Sequence, residues 1–234
     1  MIEDLEIETY LSISPSFIGI YLFDIKNLKN LHKQELKFDN KIGIIDLNNL
    51  NEFLESNIFK IEKLSGKFIK NIFLVINDNK LNNVCFGVKK KIYEDKINKK
   101  YLENLLTDGK DLFKENYQEE KIMHMTINKY LIDGNNYSLF QDNISGENFC
   151  LELGFRSISQ SFANEIEQIL EKYHIQITKY IDQVYVKDLF NKQDLGLAEM
   201  IYKTKSGFNE NEVQLIPKNL RKPGFFEKFF QLFS

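Results

Sequence analysis

Apolar and polar positions largely alternate through Ile7-Glu-Thr-Tyr-Leu-Ser-Ile-Ser14, which predicts a strand. Phe17–Phe23 predicts a second and Leu31–Phe38 a weaker third, with turns after Ser14 and Asp24, so the chain opens as a meander. The period then lengthens. Leu47, Leu50, Leu54, Ile58 and Ile61 recur at helical spacing behind Asp46, a side chain suited to cap a helix. Ile72-Phe-Leu-Val-Ile76 is too short for a helix and rich in branched residues, so it reads as a buried strand. Asn77-Asp-Asn-Lys is a turn, and Val84–Tyr93 a further strand. Asp95 is the expected cap of a second helix carrying Ile97, Tyr101, Leu105 and Leu112 on one face.

Lys121–Ile132 is again extended, and Asp133-Gly-Asn-Asn marks a hairpin turn. Phe149, Leu151, Leu153 and Phe155 alternate with Cys150, Glu152 and Gly154, the cleanest half-buried strand in the chain. Ser159 caps a helix with Phe162, Ala163, Ile166, Ile169, Leu170 and Tyr173. Ile175–Val186 reads as a last strand and Leu195–Tyr202 as a short helix. From Lys203 to Asn219 no period is sustained, which reads as a linker. Strands and helices mix without strict alternation, so the expected class is α+β or mixed α/β.

The last residues carry a different pattern. With successive residues about 100° apart, Phe225, Phe226, Phe229, Phe230, Leu232 and Phe233 fall in an arc roughly 160° wide. Glu227, Lys228, Gln231 and Ser234 fill the opposite arc, Pro223 suits the start of a helix, and Lys218, Arg221, Lys222 and Lys228 flank the apolar face. The arrangement suits a helix lying in a lipid interface, with aromatic rings at the acyl boundary and basic groups toward anionic headgroups. A fully buried Phe contributes roughly 1.5–3 kcal/mol and a nearby Lys or Arg about 1 kcal/mol. Ordering the backbone costs about 1–2 kcal/mol per residue. One copy should therefore bind weakly, and several copies on an assembly firmly. The competing expectation is that the helix packs on its own domain or on a partner helix.

Composition narrows the function. The 234 residues suffice for one domain or two small ones. A net charge of −3 and a pI near 5.8 argue against electrostatic binding of nucleic acid by the whole molecule. Cys85 and Cys150 lie in unrelated contexts, which excludes a disulfide framework and fits a reducing cytosol. No window of 18 residues is apolar throughout, so no spanning helix is expected, and the acidic start is unlike a secretory signal. Lys, Ile and Asn are abundant and Arg occurs only at 156 and 221, which reads as an AT-rich genome.

Catalytic chemistry is poorly represented. His32, His124 and His174 are isolated, without metal-ligand spacing, and His124 reads as a structural strand residue. Ser65-Gly-Lys67 lacks the upstream glycine of a phosphate loop and reads as a turn. The carboxylates lie mostly beside lysines on helix faces, which points to solvated surfaces. Both cysteines fall in strands and are expected in or near the core.

Lys121-Ile-Met-His-Met-Thr-Ile-Asn-Lys-Tyr-Leu-Ile-Asp133-Gly resembles a stretch of the bacterial cell-division protein FtsA that runs Ile-Leu-His, then Tyr, an apolar pair, Asp and Gly. Asn143-Ile-Ser-Gly146 stands where that family has Leu-Ser-Gly, and the strand Phe149–Phe155 and helix Ser159–Tyr173 follow in the same order. Leu47–Lys80 fits as well, with Asn77-Asp-Asn replacing a Ser-Gly turn.

The resemblance implies a partial actin-like lobe at 1–70 and 181–202, and an inserted strand-helix-strand-strand subdomain at 71–180. A linker at 203–222 and a membrane-targeting helix at 223–234 complete it. It covers roughly residues 5–190 plus the tail.

The departures concern nucleotide. Where the family has Asp, a spacer and Gly in its first phosphate loop, this chain has Ser12, Ser14 and Pro15. Ser12 cannot organise Mg²⁺ as an Asp would, Ser14 lacks the access of Gly, and Pro15 has no N–H to donate. By this resemblance the second phosphate loop and most of the second lobe, which in the family carries the docking site for the FtsZ peptide, are expected to be absent. The resemblance thus implies a non-enzymatic adaptor of the division machinery, without cofactor or metal, on the cytoplasmic face of the membrane.

Its expected partners are an anionic membrane surface, other division proteins and further copies of itself, with FtsZ in doubt and no nucleic acid. Lys222, Phe225, Phe226, Lys228, Phe229, Phe230, Leu232 and Phe233 would hold the membrane, and Ser145-Gly146 is the expected partner surface. Two other readings compete: an actin-like ATP-binding protein, and an actin-like adaptor of a pilus or secretion assembly.

Overall fold

A computed structural model describes residues 6–39, 43–93, 96–142 and 144–214. These residues form nine strands and five helices in two compact units, and the class is mixed α/β.

The first unit runs to Leu81 and takes in Ile158–Phe208. Its sheet has the order β3-β2-β1-β4-β9. β1 (Ile7–Ser14), β2 (Phe17–Asp24) and β3 (Lys29–Lys37) form the expected antiparallel meander. β4 (Asn71–Ile76) lies parallel to β1, and β9 (Gln176–Asp182) parallel to β4. A parallel return needs a crossover, and α1 (Leu47–Ser65) supplies it between β3 and β4. Asp46 caps α1 by accepting the Asn48 amide at 2.9 Å, and Leu50, Phe53, Leu54, Ile58 and Ile61 form its buried stripe. The helix α3 (Gln160–Glu171), capped by Ser159, connects to β9.

Side chains alternate across the sheet. Tyr10, Tyr21, Phe23, Val75 and Ile181 pack with Tyr185, Val186, Ala198 and Ile201 of the two last helices and with Phe190 between them. Leu11, Ile13, Ile20 and Leu74 belong to the opposite face and are as deeply buried.

The last helices correct the sequence reading. The strand expected over Ile175–Val186 stops at Asp182. There the carboxylate accepts the amides of Val184 and Tyr185 and starts α4 (Gln183–Leu189). α5 (Leu197–Lys205) follows.

The second unit comprises Asn82–Ser157 and the described residues from Asn209 onward. Its sheet has the order β5-β8-β6-β7: β5 (Asn82–Lys91), β8 (Asn148–Ser159), β6 (Glu120–Ile132) and the short β7 (Asn135–Tyr137). β5 and β8 pair antiparallel over ten residue pairs. The helix α2 (Lys99–Asn116) covers the sheet. Its cap is Asn98, which accepts the amides of Lys100 and Tyr101; the expected cap, Asp95, lies outside the described residues. The buried face is Leu105, Leu106, Gly109 and Phe113, whereas Leu112 is exposed. Phe113 stacks between Tyr117 and Phe155, with centroids at 4.8 and 4.6 Å.

The stretch read as a linker from 203 finishes α5 and then lies along β6. Ile127 donates to the Asn211 carbonyl and Val213 to that of Met125, both at 2.8 Å.

Candidate functional site

In open sheets, ligands bind beyond the carboxyl ends of parallel strands. In the first unit these are the ends of β1, β4 and β9, which carry Ser12, Ser14 and Pro15 together with Asn77, Asp78, Asp182 and Gln183. Register brings them there: Ser12 lies opposite Val75, and Ile76 opposite Asp182.

The polar groups at this edge hold one another. Ser12 is fully buried, and its hydroxyl accepts Nε2 of Gln183 at 3.0 Å. Gln183 Oε1 in turn accepts Lys187 Nζ at 3.4 Å. Asp182 serves the first turn of α4. Asp78 Oδ1 accepts the amide of Lys80 at 2.8 Å, and Asn77 donates to the Ile13 carbonyl at 3.0 Å. Pro15 and Ser16 make the two-residue turn between Ser14 and Phe17, and Ser14 donates to the Phe17 carbonyl at 3.3 Å. A phosphate cradle needs backbone N–H groups converging on open space. This turn has a proline at its centre and a buried serine behind it.

Among the described residues no three His, Cys, Asp or Glu side chains are grouped to hold a metal ion. Two cavities, of about 270 and 220 Å³, lie elsewhere. The larger is at the opposite, amino-terminal ends of β1 and β4, against Ile7, Thr9, Asn71 and Phe73.

Sequence reasoning singled out Ser12 and missed Gln183, its partner 171 positions later. The readable sign was Asp182 at the end of a β-rich run, the residue type that opens a helix.

In the second unit, Asp133 and Gly134 join β6 to β7 with φ of 49° and 83°, the signature of a tight two-residue hairpin. The Asp133 carboxylate reaches the start of β8 and accepts the amides of Glu147 and Asn148 at 3.0 and 2.8 Å. Those two backbone bonds hold its pKa below the ordinary aspartate value. Ser145 is exposed. Gly146 packs so closely that a Cβ would lie 2.4 Å from Ile132 Cγ2.

His124 is buried, with Nδ1 2.9 Å from Glu212 Oε1, in keeping with a structural strand residue. Cys150 is partly buried, but Cys85 is exposed on the edge strand β5, against the expectation of a core position. Alternation turns it away from α2, and its sulfur accepts Nδ2 of Asn128 at 3.3 Å. Tyr130 is buried beside Phe140, which pushes its phenol pKa up to about 12. The eight expected membrane-binding residues from Lys222 to Phe233 lie outside the described residues.

The chain matches no protein-family model and no curated protein sequence. Solved structures similar to it include the cytoplasmic domain of EpsL, an inner membrane component of the type II secretion system of Vibrio cholerae. That pair has 8% identity and a TM-score of 0.40, covering 77% of this chain and 59% of the other. A PilM–PilN type IV pilus biogenesis complex shows 9% identity and a TM-score of 0.47, over 87% and 51%. A Bacteroides thetaiotaomicron protein with an actin-like ATPase fold and unknown function shows 14% identity and a TM-score of 0.37, over 84% and 61%. The chain thus spans less than two thirds of the length of each of these chains.

Proposed function

We propose that this protein is a non-enzymatic adaptor that sits on the cytoplasmic face of a membrane and presents its folded units to a protein assembly. The observation that carries this reading is the sequence pattern of the tail, in which the five phenylalanines of the last ten residues are spaced to share one face of a helix, with basic residues beside them. The β1–β2 edge supports the non-catalytic half. Ser12 is occupied by Gln183, and Pro15 removes a donor from the turn where a nucleotide phosphate would have to bind. The strand order, an antiparallel meander extended by two parallel strands, supports a partial actin-like lobe.

The assembly served is the finer part of the proposal. The resemblance to FtsA rests on the ordered residues around Tyr130, Asp133 and Ser145-Gly146 and on the tail. Asp133 and Gly146 hold the β6–β7 hairpin to the start of β8, which any subdomain of this shape requires. They support the subdomain type rather than a division partner. An adaptor of a pilus or secretion assembly is therefore the reading we favour, in line with two of the similar structures, and a divisome adaptor is the second.

Two measurements test the proposal. Full-length protein should co-sediment with anionic vesicles, and a chain ending at Asn219 should lose most of that binding; equal binding by both would overturn the tail's role. Calorimetry with Mg-ATP should show no binding, and micromolar affinity would overturn the non-enzymatic reading.

A further inference from the structure

The end of α1 and the turn after it carry the most exposed large apolar side chains among the described residues of the first unit. Residues 58–71 read Ile-Phe-Lys-Ile-Glu-Lys-Leu-Ser-Gly-Lys-Phe-Ile-Lys-Asn. Ile58, Ile61 and Ile69 are buried and fix the segment to the core. Phe59, Leu64 and Phe68 face outward, 76%, 66% and 80% exposed. Lys60, Lys63, Lys67 and Lys70 are exposed among them. Four lysines against one glutamate give this segment a net charge of +3 in a chain whose net charge is −3.

The single carboxylate is turned inward: Glu62 Oε1 accepts the amide of Ile69 at 3.0 Å. Ser65 donates to the Lys67 carbonyl at 2.9 Å, and Gly66 ends the helix at φ 66°, so the turn is held from within. The cavity of about 270 Å³ opens beside it, lined by Ser65, Lys67, Phe68, Lys70 and Phe73.

Single exposed apolar residues are ordinary on a protein surface, but two phenylalanines and a leucine among four lysines are not. Protein-binding surfaces are depleted in lysine, whereas a bilayer interface selects this combination. Rings enter the acyl boundary, and flexible lysines extend to headgroup phosphates. We propose that Phe59, Leu64 and Phe68 with Lys60, Lys63, Lys67 and Lys70 form a second contact with an anionic lipid surface, built into the folded body. The proposal rests on the membrane-adaptor reading and adds to the tail an anchor of fixed geometry. Two weak contacts on one chain reinforce each other through effective concentration.

The chain contains no tryptophan, so Phe68→Trp in the full-length protein gives a single site-specific reporter. Vesicles of phosphatidylglycerol and phosphatidylcholine should shift its emission to the blue, and lipids brominated on the acyl chain should quench it. Replacing the four lysines by glutamate in that background should weaken the shift by at least about tenfold in lipid concentration. Phe59→Ser with Phe68→Ser, both exposed, provides a variant whose unchanged thermal melt certifies its fold and whose vesicle binding should fall.

Sedimentation of the full chain without any shift at position 68 would overturn this contact and leave the tail reading standing. Absence of both would overturn the two together. A blue shift that depends on protein concentration and needs no lipid would overturn it in favour of a second copy of the chain.

Discussion

Asp133 adopts a φ of 49° where β6 turns into β7, a region that Asp and Asn tolerate better than most residues. The turn aims its carboxylate at two amides of the β8 start. Its folded pKa is lowered, so the ionised group stabilises the fold at neutral pH, and that contribution is lost as pH falls through the folded value. Asp133→Ala should therefore lower the melting temperature at pH 7. It should also flatten the fall in stability below about pH 4, measured by thermal melts across a pH series. Gly146 makes a complementary prediction. Its missing Cβ is replaced by a β-branched methyl of Ile132, which cannot swing away, so Gly146→Ala should cost about 1–3 kcal/mol in urea unfolding. The sequence pointed to both residues through their order in the chain. It could not say what they do, because the contacts lie 13–15 positions apart and depend on the hairpin being closed.

Elements obeyed the periodic pattern where one rule acted alone. The meander, α1 with its Asp46 cap, and the alternating core of β8 all stand where the hydrophobic pattern put them. The pattern failed where two rules overlapped. Val184 and Val186 prolong the alternation of β9, yet the Asp182 side chain bonds two amides and turns the chain into α4. On α2, Leu112 and Phe113 compete for the inner face, and the stack with Phe155 decides for Phe113. Gly109 lets that helix approach the sheet: a Cβ there would lie 2.2 Å from Leu153 Cδ1 and 3.3 Å from Val88 Cγ2. Gly109→Ala gains about 1 kcal/mol in helix propensity, but overpacking costs about 1–3 kcal/mol. Leu153 is fully buried and cannot yield freely, so the expected outcome is a net loss of stability in denaturant titration.

For the molecule as a whole, net charge and local charge have opposite signs. Attachment to anionic vesicles should therefore weaken steeply with salt, because the Debye length shrinks from about 10 Å at 0.1 M to about 3 Å at 1 M. Sedimentation at a series of salt concentrations measures this, and salt-insensitive binding would mean that apolar insertion alone holds the protein. Class and strand sequence were legible from pattern. The grouping of residues 209–214 with Asn82–Ser157 was not, since a short irregular segment shows no periodicity even when backbone bonds fasten it to β6.

That fastening has a consequence for synthesis. His124 meets Glu212 across 88 positions of chain, and the first unit's α3, β9, α4 and α5 are translated in between. At about 5–20 residues per second, the ribosome takes roughly 4–18 s to travel from one to the other. Throughout that interval β6 exists without the segment that covers Met125 and His124. The second unit is therefore begun before the first is complete and finished after it, and the nascent chain carries an open strand face for the time it takes to make the later part of its neighbour.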